Sequence, residues 1–123
     1  MTARKEDLLQ AARVVFGALV LHPELGEPSS VAVSRHVSAV YGLTLDALLA
    51  WANLLTPVRL RCHSGGGAGG QFVVMEGKLG DLDVEVSCQV THPAACARIV
   101  SEPLTLDVIR QVRDLVEGEA DAS

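Results

Sequence analysis

Residues Leu82 to Val90 alternate without interruption. Leu82, Val84, Val86, Cys88 and Val90 fall on one side, and Asp83, Glu85, Ser87 and Gln89 on the other. Successive side chains of a strand point to opposite faces, so this run specifies a β-strand with one buried and one wetted face. Such a strand needs neighbours for its backbone groups and a second layer over its apolar face. Two further runs supply the neighbours. Val58, Leu60 and Cys62 alternate with Arg59, Arg61 and His63, and Gln71 to Glu76 is nearly continuous and apolar. Gly65-Gly66-Gly67-Ala68-Gly69-Gly70 links the first pair, and Gly77 to Asp81 makes the turn of the second. The pattern predicts an antiparallel meander whose polar face carries Arg59 and Arg61 near Glu85.

Helical spacing supplies the covering layer. Leu8, Ala12, Val15, Phe16, Leu19 and Val20 recur at intervals of three and four, which predicts a helix over 6–21 with one buried stripe. His22-Pro23 ends it, because a residue before proline is pushed out of the helical region. A second helix, 44–55, has Thr44 as its N-cap and Asp46 in its first turn. Leu45, Leu48, Leu49, Trp51, Ala52 and Leu55 make it apolar nearly all round. A helix of that kind is buried, and it carries more apolar surface than one small sheet covers. A homodimer interface with Trp51 as its large packing anchor would bury the remainder. The third helix, 105–117, is capped by Thr105 and turns Leu106, Ile109, Val112 and Val116 inward. Gly118 is expected to end it. Thr91 to Pro103 reads as irregular, or as a single helical turn.

Val31 to Tyr41 decides between two folds. Val31 and Val33 alternate with polar neighbours as a strand would, while Val33, Val37 and Val40 fit a helix. A strand at Val31–His36 completes a two-layer α+β sandwich, with a mainly antiparallel four-stranded sheet packed against three helices. A helix there gives the alternative, a winged helix-turn-helix with the glycine hairpin as its wing. The strand is the preferred reading.

The chain has 123 residues, of which 49% are hydrophobic and 20% charged, so it is long enough for one aliphatic core and too short for two. A single domain over 1–118 is expected, with 119–123 a disordered polar tail. Ten Lys and Arg against fifteen Asp and Glu leave a net charge of −5, the wrong sign for a general polyanion binder. The apolar run Val14–Leu21 is too short to span a bilayer, and Glu6, Asp7, Gln10 and Arg13 interrupt the stretch as they would not in a signal peptide. Three cysteines do not make a disulfide framework. These features together predict a cytoplasmic protein with reduced thiols and no membrane partner.

Four groups of residues invite a chemical reading. The glycine loop lacks the following helix and the Lys-Ser/Thr pair that a phosphate cradle requires, so it reads as a hairpin connection. Cys88, His92 and Cys96, with Cys62 from another strand, are of the ligand types that zinc selects. The spacing is not the tight knuckle of a zinc ribbon, and Cys62 and Cys88 occupy inward positions where cysteine acts as a small hydrophobe. Buried thiols and no cofactor are the preferred reading. Cys96 with His92, or Ser34 with His36, can be drawn as a catalytic dyad, but no nucleophile elbow or local signature surrounds either, and no catalytic residue is assigned. In the helix-turn-helix alternative, Arg35, Arg59 and Arg61 would contact phosphates. The would-be recognition helix over 44–55 contains no Lys or Arg and only Asn53 to read a base edge, which disfavours nucleic acid.

Leu21-His22-Pro23-Glu24-Leu25 before a short valine run, then Ala50-Trp51-Ala52, then Gly77-x-Leu-x-Asp-Leu-x-Val-x-Val form one further pattern. Over about Leu8 to Val90 it resembles a set of small uncharacterised actinobacterial proteins, often encoded by phages or other mobile elements. The resemblance implies an extended Val31–His36 and transfers no functional residue. The glycine loop and the Cys88–Cys96 segment depart from the pattern. Together these features lead to the expectation of a non-enzymatic protein-interaction or regulatory module that self-associates. Trp51, Arg35, Arg59 and Arg61 are its candidate contact residues. A winged-helix-like DNA-binding regulator and a small zinc-stabilised protein are the alternatives.

Overall fold

A computed structural model describes residues 2–34, 37–64, 70–101 and 103–122. The chain begins with helix α1 (Thr2–Leu21) and a 3₁₀ turn at Pro23–Leu25, followed by strands β1 (Ser30–Ala32) and β2 (Ser38–Tyr41). Helix α2 (Leu45–Ala52) leads into strands β3 (Thr56–Ser64), β4 (Gln71–Leu79) and β5 (Leu82–Val90), and helices α3 (Pro93–Ser101) and α4 (Leu106–Ala122) close the chain. The α+β class holds, and the β3-β4-β5 meander pairs antiparallel throughout as the alternation requires.

The sheet itself differs from the expected one. It has five strands in the order β1-β2-β5-β4-β3, and β2 lies parallel to β5. Val31 to Tyr41 is not one strand ending at His36 but two, paired antiparallel with Val31 opposite Val40. Ser34 turns the chain between them: its hydroxyl accepts from the Val37 N–H at 3.1 Å and donates to the Val37 carbonyl at 2.6 Å. The segment holds two strands in place of one, and of its valines Val31 and Val40 are the pair set opposite each other. With strands on both sides of that turn, the helix that a helix-turn-helix needs is not formed. The parallel pair follows from the crossover through α2, β3 and β4, which returns β5 alongside β2.

The helical layer also gains a member. Pro93 starts α3 instead of breaking the chain, since proline at a first helical position lacks only an N–H that would go unused. His92 caps it, with its Nδ1 accepting from the Ala95 N–H at 3.2 Å, and Ala95 and Ile99 are its buried residues. The two caps read from sequence are present. Thr44 Oγ1 accepts from Ala47 N at 3.1 Å, and Thr105 Oγ1 from Val108 N at 3.2 Å. The last helix passes through Gly118 and runs to Ala122.

The core lies between the inner face of the sheet and the helices. Val40, Val86, Met75 and Leu60 form one inner row across β2-β5-β4-β3, and Trp51 and Leu48 of α2 belong to the same cluster. Gly77 sits in the neighbouring row opposite Val84 because the chain leaving α2 crosses directly above it. A Cβ there would lie 2.7 Å from Leu55 Cβ and 2.9 Å from the Pro57 carbonyl. Among the described residues, no helix is long and apolar enough to cross a membrane.

Candidate interaction surface

The first helix carries two apolar stripes, and the core takes only one. Ala11, Val15 and Ala18 face inward and are buried. Leu9 and Phe16 are each 48% exposed and Val20 79%. At about 3.6 residues per turn, positions 9, 16 and 20 fall within roughly 40° of one another, on nearly the opposite side from 11, 15 and 18. This corrects the expected single stripe, which included Phe16 and Val20 among the buried residues. With apolar residues on two faces of this helix, the spacing alone does not say which face is covered, and packing chose the small residues. The large side chains are left outside, the reverse of what burial alone would select. Gly17 adjoins this outer stripe. Inside a helix glycine is worse than alanine by about 1 kcal/mol. A Cβ at Gly17 would meet nothing within 4 Å, so the fold itself does not call for glycine there.

The surplus surface expected on the second helix is not there. Leu45, Ala47, Leu48 and Trp51 are buried, and Trp51 is completely so. The 3₁₀ turn, α4 and β5 all pack around α2. Trp51 is therefore an interior anchor and offers no contact to a partner.

The predicted arginines lie on the outer face of the sheet. Arg61 reaches across two strands to Glu76 and, with its Nη2 2.9 Å from Oε1, to Glu85. Lys78 lies 3.6 Å from Asp83 on the same face, and His63 stacks on Phe72 with ring centroids 5.3 Å apart. Arg59 is exposed beside them, opposite Glu76 in the register. This face matches its own charges, as the sequence pattern suggested for Arg61 and Glu85. Arg35 and His36 lie outside the described residues, as does the 65–69 part of the glycine loop. The outer strand β3 is guarded as well. A two-fold pairing centred on Leu60 would set Arg59 against Arg61 of a second copy, and Pro57 has no N–H to share.

The four zinc candidates are not brought together. Cys62 and Cys88 are in register but separated by Val73 of β4, roughly 10 Å apart at the usual strand spacing. The first and third strands of a meander do share an edge, yet the second strand stands between them. Cys96 Sγ donates to the Val90 carbonyl at 3.0 Å, and His92 caps α3. Among the described residues, no three His, Cys, Asp or Glu side chains form a metal-holding group.

Burial pushes the Cys88 thiol up to about 11 from its ordinary 9.0, so it is a thiol and not a thiolate at neutral pH. That shift leaves roughly a hundredfold less thiolate at a given pH. A disulfide-type thiol reagent at pH 8 should therefore label Cys62 and Cys96, which are half-buried, well before Cys88. Labelling all three at one rate would contradict this placement.

One cluster escaped the sequence reading. A cleft of about 460 Å³ opens where the ends of β2 and β5 meet the start of α2, lined by Leu43, Cys88, Val90 and Val116 and edged by Asp46, Arg113 and Glu117. Arg113 bridges Asp46 at 3.3 Å and Asp114 at 3.1 Å, and its guanidinium is held above its ordinary pKa, first by the hydrogen bond to Asp114. The Glu117 carboxyl is raised above 4.5, first by its hydrogen bond to Asp46, then by desolvation and by the Asp46 charge. The local signals were an acid in the first turn of one helix and an i, i+4 Arg–Glu pair on another. Their meeting spans 67 residues of chain and is a product of packing alone.

Comparison with protein-family models, with curated proteins and with solved structures returned no match.

Proposed function

We propose that this protein is a non-enzymatic protein-interaction or regulatory module that docks its partner through the outer stripe of α1. The observation that carries the reading is the inverted packing of that helix, with alanines inside and Leu9, Phe16 and Val20 outside. An apolar stripe rimmed by polar residues is the ordinary signature of a contact surface. The outer sheet face, by contrast, is occupied by its own ion pairs, and Arg61 is already committed to two carboxylates. That pairing weighs against a DNA-binding regulator, and the separation of Cys62 from Cys88 against a zinc-stabilised one. A small module of this kind suits the mobile-element setting that the resemblance implies and the cytoplasmic location expected from its sequence.

A photo-reactive amino acid at position 16 or 20 tests the reading in cells. The expected result is one discrete adduct above the 13.0 kDa chain from each of these positions, and none from position 59 or 89 on the sheet. Adducts from both surfaces alike, or from neither, would count against it.

A further inference from the structure

We infer that the cleft between β2, β5, α2 and α4 binds a small organic cation, a primary ammonium on an apolar body. The place follows from the topology. β2 and β5 run parallel and both end here, one continuing through Gly42-Leu43-Thr44 into α2 and the other through Thr91-His92 into α3. The Leu43 N–H still donates to the Ser87 carbonyl at 3.1 Å, so the two segments stay joined up to the mouth of the cleft. Beyond that point they lead into different helices, and the crevice opens at the carboxyl ends of the parallel pair. Sheets with parallel strands ordinarily receive their ligands at that end. The volume of about 460 Å³ lies within the roughly 300–1,000 Å³ typical of small-molecule sites.

The walls select the class of ligand. Leu43, Cys88, Val90 and Val116 offer apolar surface, and the buried Cys88 is a neutral thiol, so this part of the lining takes a hydrocarbon body. The rim is charged. Asp46 and Glu117 hydrogen-bond to each other, which two carboxyl groups can do only by holding a proton between them. An ammonium supplies the same bridge with its own N–H groups, donates to both carboxylates at once and brings the positive charge they lack. An anion fits less well. It would meet these two acids, and Arg113 beside them is already engaged by Asp46 and Asp114. A hard metal ion takes six or more oxygen ligands, and among the described residues no three His, Cys, Asp or Glu side chains form a group that could hold one.

Heteronuclear NMR titration of the full chain with three matched probes tests this: phenethylamine, the neutral phenethyl alcohol and the anionic hydrocinnamate. The amine should give saturable amide shifts at Leu43, Val90 and Val116, and none at Glu76 or Glu85, whose carboxylates already hold Arg61. It should bind about fivefold more tightly than the alcohol, the scale of a partly exposed ion pair, and the anion should not saturate. Glu117→Gln should abolish the preference for the amine while leaving the Tm and the affinity for the alcohol unchanged, since Glu117 is exposed. Equal binding of amine and alcohol, saturable binding of the anion, or a preference that survives Glu117→Gln would overturn the cationic assignment. No saturable shift at the cleft from any probe would overturn the site itself. Neither result bears on the stripe of α1, which belongs to a different element.

Discussion

Replacing Trp51 by alanine should destabilise the fold by about 3–5 kcal/mol, the range for emptying a large aromatic site. A domain of this size commonly has about 5–15 kcal/mol in hand, so the loss takes a large share of the stability and should lower the urea midpoint markedly. The prediction follows from where the indole sits. It is completely buried, at the point where α2 meets α4, the 3₁₀ turn and β5. Its Nε1 has no hydrogen-bond partner among the described residues, so its contribution is packing and not polar. Trp51→Phe should therefore be tolerated far better than Trp51→Ala, since it keeps apolar bulk and removes a donor without an acceptor. Urea unfolding followed by far-ultraviolet circular dichroism would compare the three proteins. The wild type offers a second check, because Trp51 is its single tryptophan: emission should be blue-shifted and resistant to iodide. A penalty under about 1 kcal/mol for alanine would show that the α2 face is open after all.

The second large effect is expected at Gly77. Alanine there should cost about 1–3 kcal/mol through overpacking, although the substitution adds one methyl group. The methyl would stand 2.7 Å from Leu55 Cβ and 2.9 Å from the Pro57 carbonyl, and neither is the end of a flexible side chain. Relief requires the chain from α2 into β3 to lift from the sheet, which also loosens the seat of Trp51. Chemical denaturation of Gly77→Ala beside Gly118→Ala gives the comparison, because a Cβ at Gly118 meets nothing within 4 Å. Equal stabilities of the two variants would refute the close approach. Sequence alone reads Gly77 as a turn glycine, whereas it lies inside β4 and marks a place where two backbones nearly touch.

That contrast shows how far the residues could be read directly. The meander was legible because a period of two is a local property of Leu82–Val90, and the caps at Thr44 and Thr105 because a hydroxyl and the N–H three residues on form a local pair. The parallel pairing of β2 with β5 was not, since no residue within either strand encodes its neighbour across a crossover. Helix α3 was hidden for a narrower reason: His92-Pro93 looks like a break, but is a cap followed by a permitted first-turn proline. At the candidate site, surplus apolar surface was rightly expected and wrongly located. The expectation rested on α2, whose residues are apolar nearly all round, whereas α1 carries a second apolar stripe between its polar residues.

Taken by themselves, the residues determined the α+β class, the antiparallel meander with one inward face and the N-caps of two helices, while the match of Arg61 with Glu85 depended on the strand order. Each of the first three depends on a spacing along the chain or on a strand alternation that leaves one choice of face. The tertiary structure alone decided which apolar helix is enclosed and which keeps a stripe outside. It also decided that Trp51 is interior, that Cys62 and Cys88 stand a strand apart, and that Asp46 meets Arg113 and Glu117. Burial is a property of what lies opposite a side chain, and for a helix with apolar residues on more than one face only packing supplies the opposite surface.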